Sequence, residues 1–193
     1  MREIETDRGA AEHILPMIDS LLCEAGIGLR ALDAIAFGRG PGGFTGVRLA
    51  ASVTQGLAFG AGLPVVPVSD LAAVGRRALD LEPTAGRVLV CNDARMQEVY
   101  WAYFDRVSDG SLVLDGDEHV GPACAVSTSA RPALGAGRGF RVYSELTSRV
   151  SGVHDSLLPR ALEIATLAVS QPRLTPDQAI PVYVRDVVAR PPS

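Results

Sequence analysis

Ala34-Ile35-Ala36-Phe37-Gly38-Arg39-Gly40-Pro41-Gly42-Gly43-Phe44-Thr45-Gly46-Val47-Arg48-Leu49 packs five glycines and a proline between Gly38 and Gly46, with apolar residues on either side. Ala34 to Phe37 is a short, uninterrupted apolar run, the pattern of a strand buried on both faces. The glycines admit positive φ and let another backbone or a ligand come close. Thr45 stands where its hydroxyl would accept a hydrogen bond from an orphan N–H and cap the next helix. The stretch reads strand, glycine-rich turn, helix.

The residues leave two uses of that turn open. Gly38-x-Gly40-x-x-Gly43 matches the dinucleotide fingerprint in its strand–turn–helix setting. Asp70, closing the next strand, stands near the place of a ribose-binding acid. Against this, Pro41 removes an N–H from the middle of the loop, and a helix starting near Thr45 is displaced from the glycines. No Gly-Lys-Ser/Thr follows, so the loop is not a Walker A motif. A tight turn packing helix on sheet is favoured over a nucleotide site built on Gly38, Gly40 and Gly43.

Outward from the turn, Pro64 to Val68 is a second buried strand, and Ser69 caps a helix from Asp70 to about Asp80. Residues 34–80 thus alternate strand and helix, which implies a parallel sheet with right-handed crossovers. The cluster Glu82-Pro83-Thr84-Ala85-Gly86 marks a boundary between lobes 1–82 and 83–193. Beyond it come strands at Val88 to Asn92 and Val99 to Phe104, and a hairpin partner at Leu112 to Leu114 after Ser108-Asp109-Gly110. A helix is expected from Leu157 to Val169, stopped by Pro172 and Pro176, then a short extended or helical piece from Val182 to Val188. At the start, residues 2–8 read as the remnant of a strand. Ala11 to Ala25 carries Ile14, Leu15, Ile18, Leu21 and Leu22 at helical spacing, with Pro16 in its opening turns and Gly26 at C′.

The helix from Val47 to Gly60 has two distinct faces. Leu49, Val53 and Leu57 have the bulk to pack on the sheet, whereas Val47, Ala50, Ala51, Thr54, Ala58 and Ala61 let another helix approach closely. Gly56 and Gly60 cost roughly 1 kcal/mol each against alanine in a helix, which suits close packing. Whether the small face meets a helix of the same or another subunit is open from the residues alone.

Composition narrows the function classes. The 193 residues are 47% hydrophobic and 21% charged, with a net charge of −4, an ordinary globular profile. This balance argues against the chain alone gripping a polyanion. Cys23, Cys91 and Cys124 form neither a metal spacing nor a disulfide framework and read as buried, inert thiols. No signal peptide opens the chain and no run of 18 apolar residues occurs, so a cytoplasmic protein without membrane contact is expected.

Three constellations carry chemistry-bearing residues. Asp93, Arg95 and Glu98 cluster at the end of a buried strand, where a carboxylate pair could do acid–base or metal work. Equally, Arg95 can pair with Asp93 or Glu98 across a turn, the favoured reading. His13, His119 and His154 are isolated and show no metal-ligand spacing. Tyr100, Trp101 and Tyr103 could stack bases, but alternating aromatics on a strand are more often core or cross-strand pairs.

Gly38-Arg39-Gly40-Pro41-Gly42-Gly43-Phe44-Thr45-Gly46-Val47-Arg48 closely resembles the signature of the TsaB (YeaZ) family, usually Gly-Pro-Gly-Ser-Phe-Thr-Gly-[Leu/Val]-Arg. Ile14-Leu15-Pro16-Met17-Ile18, Gly56-Leu57-Ala58-Phe59, Pro64-Val65-Val66-Pro67-Val68-Ser69, Asp93-Ala94-Arg95-Met96-Gln97-Glu98-Val99-Tyr100-Trp101 and Pro181-Val182-Tyr183-Val184-Arg185 match in family order. The resemblance implies an α/β, actin-like, ribonuclease-H-like fold with a smaller C-terminal α/β lobe. It implies a non-catalytic subunit in forming N6-threonylcarbamoyladenosine at position 37 of tRNAs. The implied partners are the catalytic paralogue TsaD and the ATPase TsaE, with tRNA reached through the complex. The subunit itself would need no cofactor, ATP and metal belonging to the partners. The helices at 11–25 and 46–61 would form a four-helix contact with TsaD or with a second TsaB. Ile14, Met17, Ile18, Leu21, Val47, Ala50, Ala51, Thr54 and Ala58 are the interface residues so implied, and a bulky residue at Ala51 or Ala58 would abolish association while leaving the fold intact. Family members open with two strands bearing an Ile-Asp-Thr-[Ser/Ala] turn. Here Met1 falls where the third strand should begin, so the N-terminal lobe is expected to lack its opening strands and to expose a sheet edge that favours self-association.

Overall fold

The computed structural model describes residues 1–6 and 9–184, which form two compact units. The first comprises Met1–Arg39, Gly43–Val68 and Arg160–Pro181. Its sheet has two parallel strands, β1 (Ile35–Gly38) and β2 (Val65–Val68), paired from Ile35↔Val65 to Gly38↔Val68. Helix α1 (Ala10–Ala25) ends at Gly26 in the left-handed region, as its C′ glycine requires, and Pro16 lies inside it. Helix α2 (Phe44–Ala61) is the crossover between the strands. Gly43, not Thr45, is its N-cap, so the helix opens earlier than expected and the Thr45 side chain does not cap it. Leu174 bridges Val65 through reciprocal backbone bonds of 2.9 and 2.8 Å. Residues 2–6 form no strand.

The last helix of this unit, α5, spans Ala161–Ala168 and packs on both strands. It starts four residues later than expected. Pro159 restricts the residue before it to extended backbone, and Leu157 goes to the core of the second unit. The expected piece from Val182 to Val188 lies outside the described residues beyond 184.

The second unit contains, among the described residues, Gly40–Gly42, Ser69–Pro159 and residues 182–184. Helix α3 (Asp70–Leu81) belongs here, although the turn cluster at 82–86 suggests a boundary after it. Its Leu71, Val74, Ala78 and Leu79 are buried with Val88, Val90, Ala102 and Phe104 of the second sheet. A Pro/Gly cluster marks a loop; the apolar face of the helix decides which sheet it joins. Ser69 caps α3, its Oγ accepting from Ala72 N–H at 3.0 Å and its hydroxyl donating to Glu118.

The second sheet runs in the order β5 (Leu112–Pro122), β4 (Glu98–Arg106), β3 (Arg87–Arg95), β6 (Leu134–Ala136), β7 (Val153–His154). Its β5–β4–β3 part is antiparallel and its β3–β6–β7 part parallel. Val88 and Val90 face α3, while Leu89 and Cys91 face Trp101, Val126, Phe140 and Leu146. Burial on both faces is why Val88–Cys91 reads as a continuous apolar run. The short helix α4 (Gly139–Val142) follows β6 through Gly137. At φ 101° a Cβ there would lie 2.5 Å from the Cys91 carbonyl oxygen, so only glycine fits. Strand β5 is far longer than expected because Asp115-Gly116-Asp117-Glu118 are poor strand formers, yet beyond them pairing with β4 resumes at Trp101↔His119 in a register shifted from that of Tyr103↔Asp115.

Sequence reasoning also missed a charge network under this sheet. Arg87 is buried; its Nη1 donates to both oxygens of Asp105 at 2.9 Å and its Nη2 to Asp115. Arg131 adds a 2.8 Å bond to Asp105, and the Arg87 guanidinium lies 4.6 Å from the Tyr103 ring centroid. Burial pushes the Asp105 carboxyl up, but its bonds to Arg131 and Arg87 outweigh this and hold it below the usual carboxylate range. Arg87→Met removes three charge-assisted hydrogen bonds but leaves Asp105 bonded to Arg131 and Asp115 half exposed, so it is expected to cost about 1–2 kcal/mol in urea unfolding. Because the folded carboxyl binds its proton only at lower pH than the unfolded one, its contribution is full above the unfolded value and lost as pH falls through the folded one. Asp105→Asn should therefore flatten the acid limb of the stability–pH curve, read as the unfolding midpoint between pH 5 and pH 2.

Candidate functional site

The glycine loop is held by backbone. Arg39 N–H donates to Val68 O at 2.8 Å, and Asp70 N–H donates to Gly40 O at 3.0 Å. Gly40 has φ 96° and is followed by a cis bond to Pro41; Gly38 lies within β1, and Gly43, at φ −60°, caps α2. Of the three fingerprint glycines, Gly40 alone needs the left-handed region. Asp70, sought as a ribose ligand, is the first residue of α3, and its N–H closes the loop. This geometry is what a tight structural turn requires.

The two faces of α2 exchange the roles expected of them. Val47, Ala51, Thr54 and Ala58 are buried, and Ala51 and Ala58 share a core with Phe37, Val65 and Ala179. They serve the chain's own core, as does half-buried Ala50, and are not available to a partner. Small side chains let an 18-residue helix sit close on two four-residue strands, which is the physical reason they face inward. Leu49, Val53 and Leu57 are only half-buried. The outward side carries Phe59, 81% exposed, and Phe44, 46% exposed, with the Arg48 guanidinium 3.4 Å from the Phe44 ring centroid. A Cβ added at Gly46, Gly56 or Gly60 would meet nothing within 4 Å. The space above these glycines is open among the described residues.

Helix α1 points the same way. Its stripe at spacings of three and four contains Ile14, Leu15, Met17, Ile18, Leu21 and Leu22, yet none of its residues is buried. Ile14, Met17, Ile18 and Leu21 are half-covered, and Leu15 is 51% exposed. Sixteen residues of amphipathic helix without a core are unusual, since most helical stability comes from packing of the apolar face. The sequence signal was the spacing of three and four; that none of these residues is fully buried among the described residues was legible only in three dimensions.

The remaining candidates turn inward. Asp93 Oδ1 accepts from Arg95 N–H at 2.9 Å and Arg95 pairs with the same carboxylate at 3.4 Å, while Arg95, Met96 and Gln97 all have positive φ. Glu98 pairs opposite Arg95 across the turn, and its carbonyl accepts from the Tyr143 hydroxyl at 3.3 Å. The cluster is the fastening of a tight hairpin. Trp101 and Tyr103 lie buried on one face of β4, and Tyr100 packs on the α3 side, so the three form no common stacking platform. His119 stacks on Trp101 at 5.2 Å, and His154 Nε2 lies 3.3 Å from Glu82. Among the described residues no three His, Cys, Asp or Glu side chains gather as a metal site. Cys91 is buried, and burial pushes its thiol far up; Cys23 and Cys124 are exposed, contrary to the expectation that all three are buried. No helix of the described residues is long and apolar enough to cross a membrane.

Comparison with known proteins gives one answer. A sequence profile described as TsaD, tRNA N6-adenosine threonylcarbamoyltransferase, matches residues 5–132. The Haemophilus influenzae tRNA threonylcarbamoyladenosine biosynthesis protein TsaB is 37% identical over 94% of this chain and 82% of its own length. Its Escherichia coli namesake is 35% identical over 94% and 83%. A Pseudomonas aeruginosa crystal structure, described as an uncharacterized protein with similarity to peptidase YEAZ, superposes with a TM-score of 0.85 at 44% identity, covering 92% of this chain and 85% of that one.

The assignment of α2 faces is testable without a partner. Ala58→Leu overpacks a fully buried site and should destabilise the chain by about 2 kcal/mol, whereas Phe59→Asp, on the outward side, should leave the urea midpoint within about 0.5 kcal/mol of the parent. Equal effects of the two changes would reverse the assignment.

Proposed function

The chain belongs to the TsaB (YeaZ) family, and on that premise we propose that it is a non-catalytic partner subunit in the formation of N6-threonylcarbamoyladenosine in tRNA. It docks on a TsaD-like catalytic paralogue through α1 and the outward side of α2, and in the partner's absence a second copy takes the same face. The observation that carries this reading is α1 itself, an apolar-striped helix none of whose residues is buried. Gly46, Gly56 and Gly60, with open space above them, allow a foreign helix to approach α2 closely, and Phe59 supplies an exposed aromatic anchor of the kind that dominates interface energetics.

A non-catalytic role is supported by how the charged groups are used. Asp93 and Arg95 fasten a hairpin, and Arg87, Asp105, Asp115 and Arg131 neutralise one another within a sheet. The net charge of −4 suits a subunit that meets tRNA through a complex rather than alone. ATP and metal then belong to partner subunits, including a TsaE-like ATPase, and the site of action is the cytoplasm.

The test is mass-spectrometric analysis of tRNA nucleosides from cells depleted of this protein and then supplied with the 193-residue chain. Threonylcarbamoyladenosine should fall on depletion, return with the parent chain, and fail to return with Ile18→Glu, which charges the α1 stripe. Co-purification of a TsaD-like protein should fail with the same variant. A modification level indifferent to depletion would overturn the proposal and reopen the Gly38–Gly46 loop as a ligand site.

A further inference from the structure

A cavity of about 390 Å³ opens in the second unit at the N-terminal ends of its parallel strands. It lies between the turn that joins α3 to β3, the start of β6 and the two residues before β7. That volume is in the range of small-molecule sites, which are concave and set a few convergent polar groups among apolar ones. None of its walls comes from the glycine loop, α1 or α2.

The polar groups of the wall are of two kinds. The acceptor is Glu82, the C-cap residue of α3, whose carboxylate is partly exposed. Its Oε1 lies 3.3 Å from His154 Nε2, and Oε2 is left for a ligand. The donors are backbone and hydroxyl. Among the described residues, the N–H groups of Thr84, Gly86 and Gly152 enter no backbone hydrogen bond, and the Thr84 hydroxyl has no partner. At Gly86 nothing stands within 4 Å of where a Cβ would be, so the chain is bare there. Arg87 completes the wall. It is buried, and Asp105 and Asp115 take its Nη1 and Nη2 while Nε has no partner. Ala85, Pro132 and Leu134 supply the apolar part.

This mixture selects the ligand. An anion by itself is repelled by Glu82, and an amine by itself leaves the N–H groups unmet. A molecule bearing both charges places its ammonium on Glu82 and its carboxylate on the N–H groups, each through charge-assisted hydrogen bonds. The apolar part then covers an aliphatic side chain. We infer that the cavity binds a free α-amino acid with an aliphatic side chain, held by Glu82 at its ammonium. This site is independent of the helix face proposed for the partner.

Calorimetric titration of the 193-residue chain with L-leucine tests the inference, beside isocaproate, which lacks the ammonium, and isopentylamine, which lacks the carboxylate. L-Leucine should bind saturably with a Kd of about 1 mM, and each analogue about tenfold more weakly. Glu82→Gln should weaken L-leucine about tenfold and leave isocaproate unchanged. The analogue comparison uses the parent chain, so it does not depend on a variant that folds. Absence of saturable L-leucine binding, analogues that bind as well as L-leucine, or a Glu82→Gln chain that keeps the full preference for L-leucine each overturns the inference. The nucleoside analysis and the Ile18→Glu co-purification read a different face, so either proposal can fail without the other.

Discussion

The close seat of α2 on β1 and β2 is the contact on which the first unit depends. Two strands of four residues offer a helix little more than Phe37, Val65 and their neighbours to pack against. Only a helix face built from Val47, Ala51, Thr54 and Ala58 can come near enough to fill that space at native density. Once the small residues are placed there, the glycines and phenylalanines of the same helix are left on the outside, while the apolar stripe of α1 stays half-exposed. The exposed side of α2 is thus a by-product of how the core had to be packed.

The second unit obeys a different constraint. Its sheet is covered on both sides, by α3 on one and by Phe140, Leu146 and the segment around Val126 on the other. With apolar residues on both faces, the polar groups at its rim must satisfy each other. The Arg87 guanidinium does so by taking Asp105 and Asp115, with Arg131 sharing the load. The same economy uses Asp93, Arg95 and Glu98 in a hairpin and His119 in a stack on Trp101.

Much of this was legible beforehand. The strand–turn–helix around Gly38–Gly46, the N-cap at Ser69, the C′ glycine at Gly26 and the apolar runs of β2 and β3 are local features, written in residues a few positions apart. Two errors share a cause. The helix faces of α2 were exchanged, and α3 was divided from the sheet it packs on, because periodicity identifies a face without saying what it meets. Strand β5 extends beyond what its residues suggest for the opposite reason, since its polar centre carries little strand propensity and is held by β4 together with Ser69 on Glu118 and Arg87 on Asp115.

The sequence by itself determined the strand–helix–strand–helix order from β1 to α3, the parallel pairing of β1 and β2, the Ser69 cap and the family signature, because each rests on backbone preferences and patterns of short range. Only the tertiary structure decided which side of α2 is core, that α1 has none, and where Arg87 finds its counter-ions. Those outcomes depend on residues far apart in the chain competing for the same space, and that competition is settled by packing rather than by any local rule.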